Sequence, residues 1–397
     1  MYKGLLYVSL CLLLTGCWDQ VESEERGYVI GVGIDPSDHD NLEDRDEAEV
    51  TEDSIGKERF KVTFQFVVPS ALQGGGDPSQ LQEPFLNTAA SGNTMFQIVR
   101  DMSKKIARSP YFQHIKMIII SDEVAKKGYF AEVLDIFLRD HEMRRSTKLM
   151  ISKDTTKDIL ESKTRVERLP VMYIDSITEN AYKNGEILPP MNIGRVHKSL
   201  LGTNSFLIPF IKSNGQKVDL SGSAIFKGDS KKMIGTLNGR ETMGVNFITG
   251  ELKGGVIEVI IDGQLVVFEI SDAKRKIHAN VTNKDQIDFT IDVVVEGNLG
   301  EEFGDYHIFE PKTVAKLEEK VAKEIEKITA GMIEKTQKEY NADVLGLGSY
   351  LHQEHYDSWK TIKNDWESGS HYFSKSNIRV NAKIIVRSIG TIMETQK

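Results

Sequence analysis

The chain has 397 residues, enough for two or three domains, with 40% hydrophobic and 27% charged residues and a formal charge of −9. The acidic balance argues against nucleic acid as a partner and against electrostatic attachment to anionic lipid. Only two cysteines occur, Cys11 and Cys17, both close to the N-terminus.

Lys3 precedes an apolar run from Leu5 to Leu14. Its length, about ten residues, falls short of the roughly 20 that a spanning helix needs and suits a secretory h-region. Leu14-Thr15-Gly16-Cys17 then has the form of a lipobox. Cleavage after Gly16 makes Cys17 the new N-terminus and its thiol the site of a diacylglycerol. The same cut removes Cys11, so the mature chain forms no internal disulfide, and acylation masks the one remaining thiol. Two acyl chains anchor stably where one binds marginally. No other apolar run approaches transmembrane length, so the chain is expected to sit on a membrane without crossing it.

Trp18-Asp19-Gln20 and an acidic spacer follow, then Tyr28-Val29-Ile30-Gly31-Val32-Gly33-Ile34-Asp35, which reads as a buried strand. Its Gly-x-Gly lacks the third glycine of a dinucleotide loop, and the acidic residues beyond it would repel a phosphate. Close backbone packing within a strand explains both glycines. Residues 36–58 are rich in Asp and Glu and hold little that can be buried, so they read as a solvated connection. They lack the spacing and central glycine of a calcium-binding EF-hand. Phe60 to Val68 alternates before an apolar end and is expected to pair with 28–35; Pro69 closes it, and 73–78 is a glycine-rich loop.

From Thr94 the positions Phe96, Val99, Met102 and Ile106 recur at helical spacing, and Ser109-Pro110 stops the helix. Ile115 to Ile120 is a β-branched central strand, followed by a helix over Phe130 to Leu138 and a strand at Leu149 to Ser152. This alternation predicts a mixed α/β domain with partly parallel pairing. Thr155-Thr156 caps a short helix to Leu160; Ile174, Ile177 and Ala181 share a face of another, and Pro189-Pro190 interrupts.

Residues 219–295 are mostly strand, joined by turns bearing Gly, Asn or Asp. One helix interrupts them, with Asn238 and Glu241 spaced as a capping box and Gly250 as its terminator. A turn and a helix cap account for Asn238, Gly239 and Glu241 without a substrate. A long helix is expected from Pro311 to Tyr340, its stripe of Val314, Leu317, Val321, Ile325, Ile328 and Met332 lying on a sheet, with Gly331 as an interruption. The chain ends in a strand from Ile378 to Ile389.

Several of these segments, in this order, resemble the Ger(x)C family, the lipoprotein subunit of bacterial spore germinant receptors. They are Cys17-Trp18-Asp19 with Ile30 to Asp35, Ser91-Gly92-Asn93-Thr94, Tyr111 to Ile120, and Leu134 to Asp140 with Met143-Arg144. Gly222 to Phe226, Leu237 to Thr242 and Lys253 to Ile257 extend the resemblance, as do Gln337 to Leu347, Trp359 and Trp366. The acidic stretch 36–58 departs from the short hairpin expected there. The resemblance implies a permease-like subunit and a second large integral-membrane subunit as partners. It also implies a place on the outer leaflet of the spore inner membrane.

The expected fold is α+β and multidomain, with sheets flanked by helices. A signal peptide at 1–16 precedes a mixed α/β domain at 17–200, a strand-rich middle unit at 201–275 and a C-terminal α/β domain at 276–397. Cys17 is the one predicted site residue, as a lipidation site. His352 and His355 would share a helical face, but the spacing of a zinc hydrolase and a third ligand are missing. No nucleophile elbow or phosphate loop occurs. The expectation is therefore a non-catalytic subunit with no metal and no cofactor. A free-standing solute-binding lipoprotein is the alternative; a surface hydrolase lacks any motif to support it.

Overall fold

The computed structural model describes residues 26–37, 60–72, 83–162, 166–213, 217–283, 286–302 and 311–388. Cys17, nearly all of the acidic stretch and the 73–78 loop lie outside these.

Two sheets organise the chain. The first contains β1 (Arg26–Pro36), β2 (Phe60–Val67), β3 (Phe85–Gly92), β4 (Ser109–Tyr111), β5 (Met117–Ser121), β6 (Lys148–Ser152), β7 (Phe206–Ser213), β8 (Val218–Phe226) and β9 (Met233–Leu237). Its order is β3-β2-β1-β5-β6-β7-β8-β9, with β4 beside β1. The central pairs β1–β5, β5–β6 and β6–β7 are parallel, and the flanking pairs are antiparallel, including the expected β1–β2 pair. A parallel strand is covered on both faces, hence the unbroken Met-Ile-Ile-Ile of β5. Ile118 and Ile120 enter one core with Phe64, Phe130 and Phe137; Met117 and Ile119 enter another with Ile159, Leu160 and Val171.

The helix α1 (Met95–Lys105) begins where Thr94 accepts the Gln97 N–H. Its phase differs from the expected stripe. Met95, Ile98 and Met102 are buried, whereas Phe96 is 60% exposed beneath the Arg100 guanidinium. The two stripes share Met102, and the contact of Ile98 with Gly92 decides between them. Helices α2 (Phe130–Arg139), α3 (Thr156–Leu160) and α4 (Pro170–Thr178) follow as read from the sequence.

The second sheet is β10-β11-β12-β13, formed by Gly255–Ile261, Gln264–Asn280, Asp288–Glu302 and Asn377–Ser388. Its last pair, β12–β13, is parallel. Strands β11 and β12 run well beyond the apolar stretches at 265–270 and 289–295. The β11 extension turns Ala273 and Ile277 inward, whereas that of β12, from Glu296 to Glu302, is mostly polar. The stretch 201–275 therefore divides its strands between the two sheets.

Helix α5 (Gly239–Thr249) carries both halves of the capping box: Asn238 accepts the Glu241 N–H, and Glu241 accepts the Asn238 N–H. Gly250 ends it in the left-handed region at φ 75°. Helix α6 (Pro311–Glu334) lies on the second sheet through Leu317, Val321, Ile325, Ile328 and Met332. Gly331 does not break it; the change comes later, where Lys335–Tyr340 widens into a π turn. Each such buried aliphatic contributes roughly 1.5–3 kcal/mol, so the stripe suffices to hold the helix on the sheet. One core joins Leu207, Ile225 and Leu237 of the first sheet to Phe268, Ile291 and Leu317 of the second half.

Candidate interaction site at the junction of the two sheets

A densely hydrogen-bonded polar cluster lies where the C-terminal part meets the first sheet. The chain leaves the π turn through Asn341, in the left-handed region at φ 46°, and places Asp343 inside the protein. One Asp343 oxygen accepts the N–H groups of Leu345 at 3.2 Å and Leu347 at 3.1 Å. The other accepts Gly348 N–H at 2.6 Å and Trp366 Nε1–H at 2.8 Å. Burial, and then the neighbouring Glu367, push the carboxyl above its usual range, while these N–H donors pull it down.

Glu367 connects the halves. It accepts the Asp343 N–H at 3.0 Å, the Ser205 hydroxyl and the Lys227 ammonium at 3.0 Å. Lys227, which directly follows β8, also donates to the Asn341 carbonyl. Trp366 packs against Trp359, Phe373 and Phe289 at centroid distances of 5.7, 5.9 and 6.3 Å. Beside the cluster lies a cavity of about 300 Å³ bordered by Leu188, Arg195, Phe206, Glu251 and Val344.

This is the chemistry of a clasp. Both oxygens of Asp343 are occupied by N–H donors, Lys227 is ion-paired, and the Ser205 hydroxyl donates to Glu367 while accepting the Gly228 N–H at 3.1 Å. Removing one member of a largely buried ion pair strands the other, at a typical cost of about 3–5 kcal/mol.

A second enclosed carboxylate, Asp35, caps α3 by accepting the Thr156 N–H at 2.9 Å and the Thr156 hydroxyl at 2.6 Å. Burial raises its pKa, opposed by those hydrogen bonds. Gly31 and Gly33 lie on the same face of β1. A Cβ on Gly33 would sit 2.3 Å from Thr156 Oγ1, and one on Gly31 2.3 Å from Val171. The Gly-x-Gly-x-Asp run is therefore a seat for helices, which leaves no room for a phosphate.

Of the residues singled out from sequence, Cys17 lies outside the described residues. Asn238 and Glu241 cap α5, and Glu241 also meets Lys335 at 2.9 Å. His352 sits near the end of α7 (Leu347–Glu354), but His355 has left helical geometry at φ −136°. Their rings lie against Tyr356 and Tyr350, respectively. Among the described residues, no group of three or more His, Cys, Asp or Glu side chains is placed to hold a metal. Sequence reasoning missed the clasp. Its one local signal was an acidic residue, Asp343, set among Ala342, Val344 and Leu345.

Comparison with known proteins gives a consistent result. A family described as "Spore germination protein N-terminal domain" matches residues 19–213, and "Spore germination B3/ GerAC like, C-terminal" matches residues 221–390. The chain is 31% identical over 398 residues to spore germination protein YndF of Bacillus subtilis (strain 168), covering 97% of this chain and 96% of that protein. With spore germination protein A3 of the same organism it shares 31% over 396 residues, 98% of each chain. The crystal structure of the GerBC protein matches with a TM-score of 0.60 at 22% identity, covering 91% of this chain and 99% of that one, which shows a common fold.

Proposed function

This chain belongs to the Ger(x)C family of spore germination proteins, and we propose that it is the lipid-anchored, non-catalytic subunit of a nutrient germinant receptor. The carrying observation is that both family matches occur in order and together span nearly all of residues 19–390. Cys17 would hold the chain on the outer leaflet of the spore inner membrane beside a permease-like subunit and a second large membrane subunit. Among the described residues no helix is long and apolar enough to cross a membrane, in keeping with an acyl anchor. A tethered chain meets lateral partners at high effective concentration, so it can act through the shape of its surface. A free-standing solute-binding lipoprotein is favoured less. Such a protein usually has two similar lobes, whereas the described residues of this chain pair a nine-stranded mixed sheet with a four-stranded one.

Cys17→Ala is expected to move the protein out of washed membranes, read by fractionation in cells lacking its partners. Deleting the gene is expected to block germination by one set of nutrients and spare germination by external calcium dipicolinate. Membrane retention of the Cys17 variant would overturn the anchor. Rescue of the deletion by an unanchored chain at native abundance would overturn the assembly role.

A further inference from the structure

The two edges of the second sheet are finished differently. On β13, α6 supplies caps: the Ala382 N–H donates to Glu326 at 3.0 Å and the Val386 N–H to Glu318 at 3.1 Å. On β9, the last strand of the first sheet, the Thr236 N–H is taken by Tyr340. β10 has no such cover. Val256 to Ile261 pair with β11 on one side, and among the described residues their backbone makes no hydrogen bond on the other. An unpaired strand edge is a row of donors and acceptors at fixed spacing, and proteins usually blunt it.

The side chains along this edge carry a pattern. Residues of β10 alternate between the core and solvent, with Ile257, Val259 and Ile261 inside. On the outer face Val256 is 49% exposed and Ile260 56% exposed, large values for branched apolar side chains. Glu258 stands between them, exposed and without an ion-pair or hydrogen-bond partner among the described residues. Half-exposed Leu265 and Val267 of β11 lie opposite Ile260 and Glu258, so the apolar surface continues into the sheet.

We propose that β10 is a docking edge that accepts an extended segment of a partner protein, one with a basic residue flanked two positions away on each side by branched apolar residues. The backbone of such a segment would complete the ladder, its basic residue would meet Glu258, and its apolar residues would cover Val256 and Ile260. A second copy of this chain is disfavoured: antiparallel self-pairing that sets Val256 against Ile260 also sets Glu258 against its own copy. The receptor role bears only on which protein supplies the strand. The edge itself is tested by a synthetic peptide, so either idea can fail without the other.

The probe is a nine-residue peptide in which Val, Lys and Val alternate with Thr, compared with the same peptide carrying Glu in place of Lys. Both are added to the full chain in detergent, and hydrogen exchange of the Val256–Ile261 amides is followed. The Lys peptide is expected to slow exchange there, with an affinity about five- to tenfold above that of the Glu peptide. Glu258→Lys, a surface change, should reverse the preference, and Ile260→Lys should weaken both peptides while circular dichroism stays unchanged. No protection by either peptide overturns the proposal, as does an unchanged preference in Glu258→Lys. Slow exchange of these amides without peptide, with a dimer in sedimentation, also overturns it by showing self-pairing.

Discussion

Gly33 and Gly331 show how one residue type serves opposite ends. At Gly33 an added methyl group meets Thr156 at 2.3 Å, so Gly33→Ala is expected to lose about 1–3 kcal/mol through overpacking. Gly331 lies inside α6 with nothing within 4 Å of its missing Cβ, so Gly331→Ala is expected to gain about 0.8–1 kcal/mol. Urea unfolding of the two variants tests both; a destabilised Gly331→Ala would show that the helix needs its glycine. The first role was legible because a Gly-x-Gly in an apolar run has few explanations once the phosphate loop fails. The clasp was not, because Ser205, Lys227 and Glu367 stand far apart in sequence and look like ordinary surface residues. Only the fold brings them together.

Among elements, the sequence specified the starts and stops well because caps are local. Thr155 and Asn238, read from the sequence as caps, each accept the N–H three residues on, and the structure adds Thr94, which does the same. Phase and regularity were harder to read. The phase of α1 depended on which neighbour received Ile98, and the π turn after α6 depends on a contact across the molecule. Tyr340, at the end of that turn, lies against Gly235 and takes the Thr236 N–H. Burial is the main cause that pushes its phenol up to about 12 from an ordinary 10.0. Below pH 10 the phenol is neutral in both the folded and unfolded chain. Between 10 and 12 the unfolded chain gives up the proton while the folded one keeps it, so stability falls as pH rises. Tyr340→Phe removes the ionisable group. Melting curves at pH 9 and 11 are expected to show a smaller alkaline loss in the variant than in the wild type.

For the whole molecule, sequence composition located the strands but could not assign them to sheets. The family matches meet between residues 213 and 221, and the hairpin of β7 and β8 spans that junction. The shared core and the Lys227–Glu367 clasp span the same divide. A chain ending at Ser213 would lose two strands of its own sheet and the cover over Leu207. It is expected to lack a cooperative melt, whereas the full chain should unfold in one transition by both circular dichroism and tryptophan fluorescence. Two separate transitions in the full chain would contradict the single core.

The position of β13 has a consequence for how the protein is made. Asn377–Ser388 are the last residues described, yet β12, their partner, ends at Glu302. β12 is therefore synthesised well before β13, the strand that closes the sheet beside it. Until β13 is in place, the side of β12 that it covers stays bare, and Glu318 and Glu326 have no strand to cap. A product that stopped before Asn377 would thus keep an open sheet, exposed to proteases. Closure of this sheet therefore follows the pairing of β11 with β12 and waits for β13.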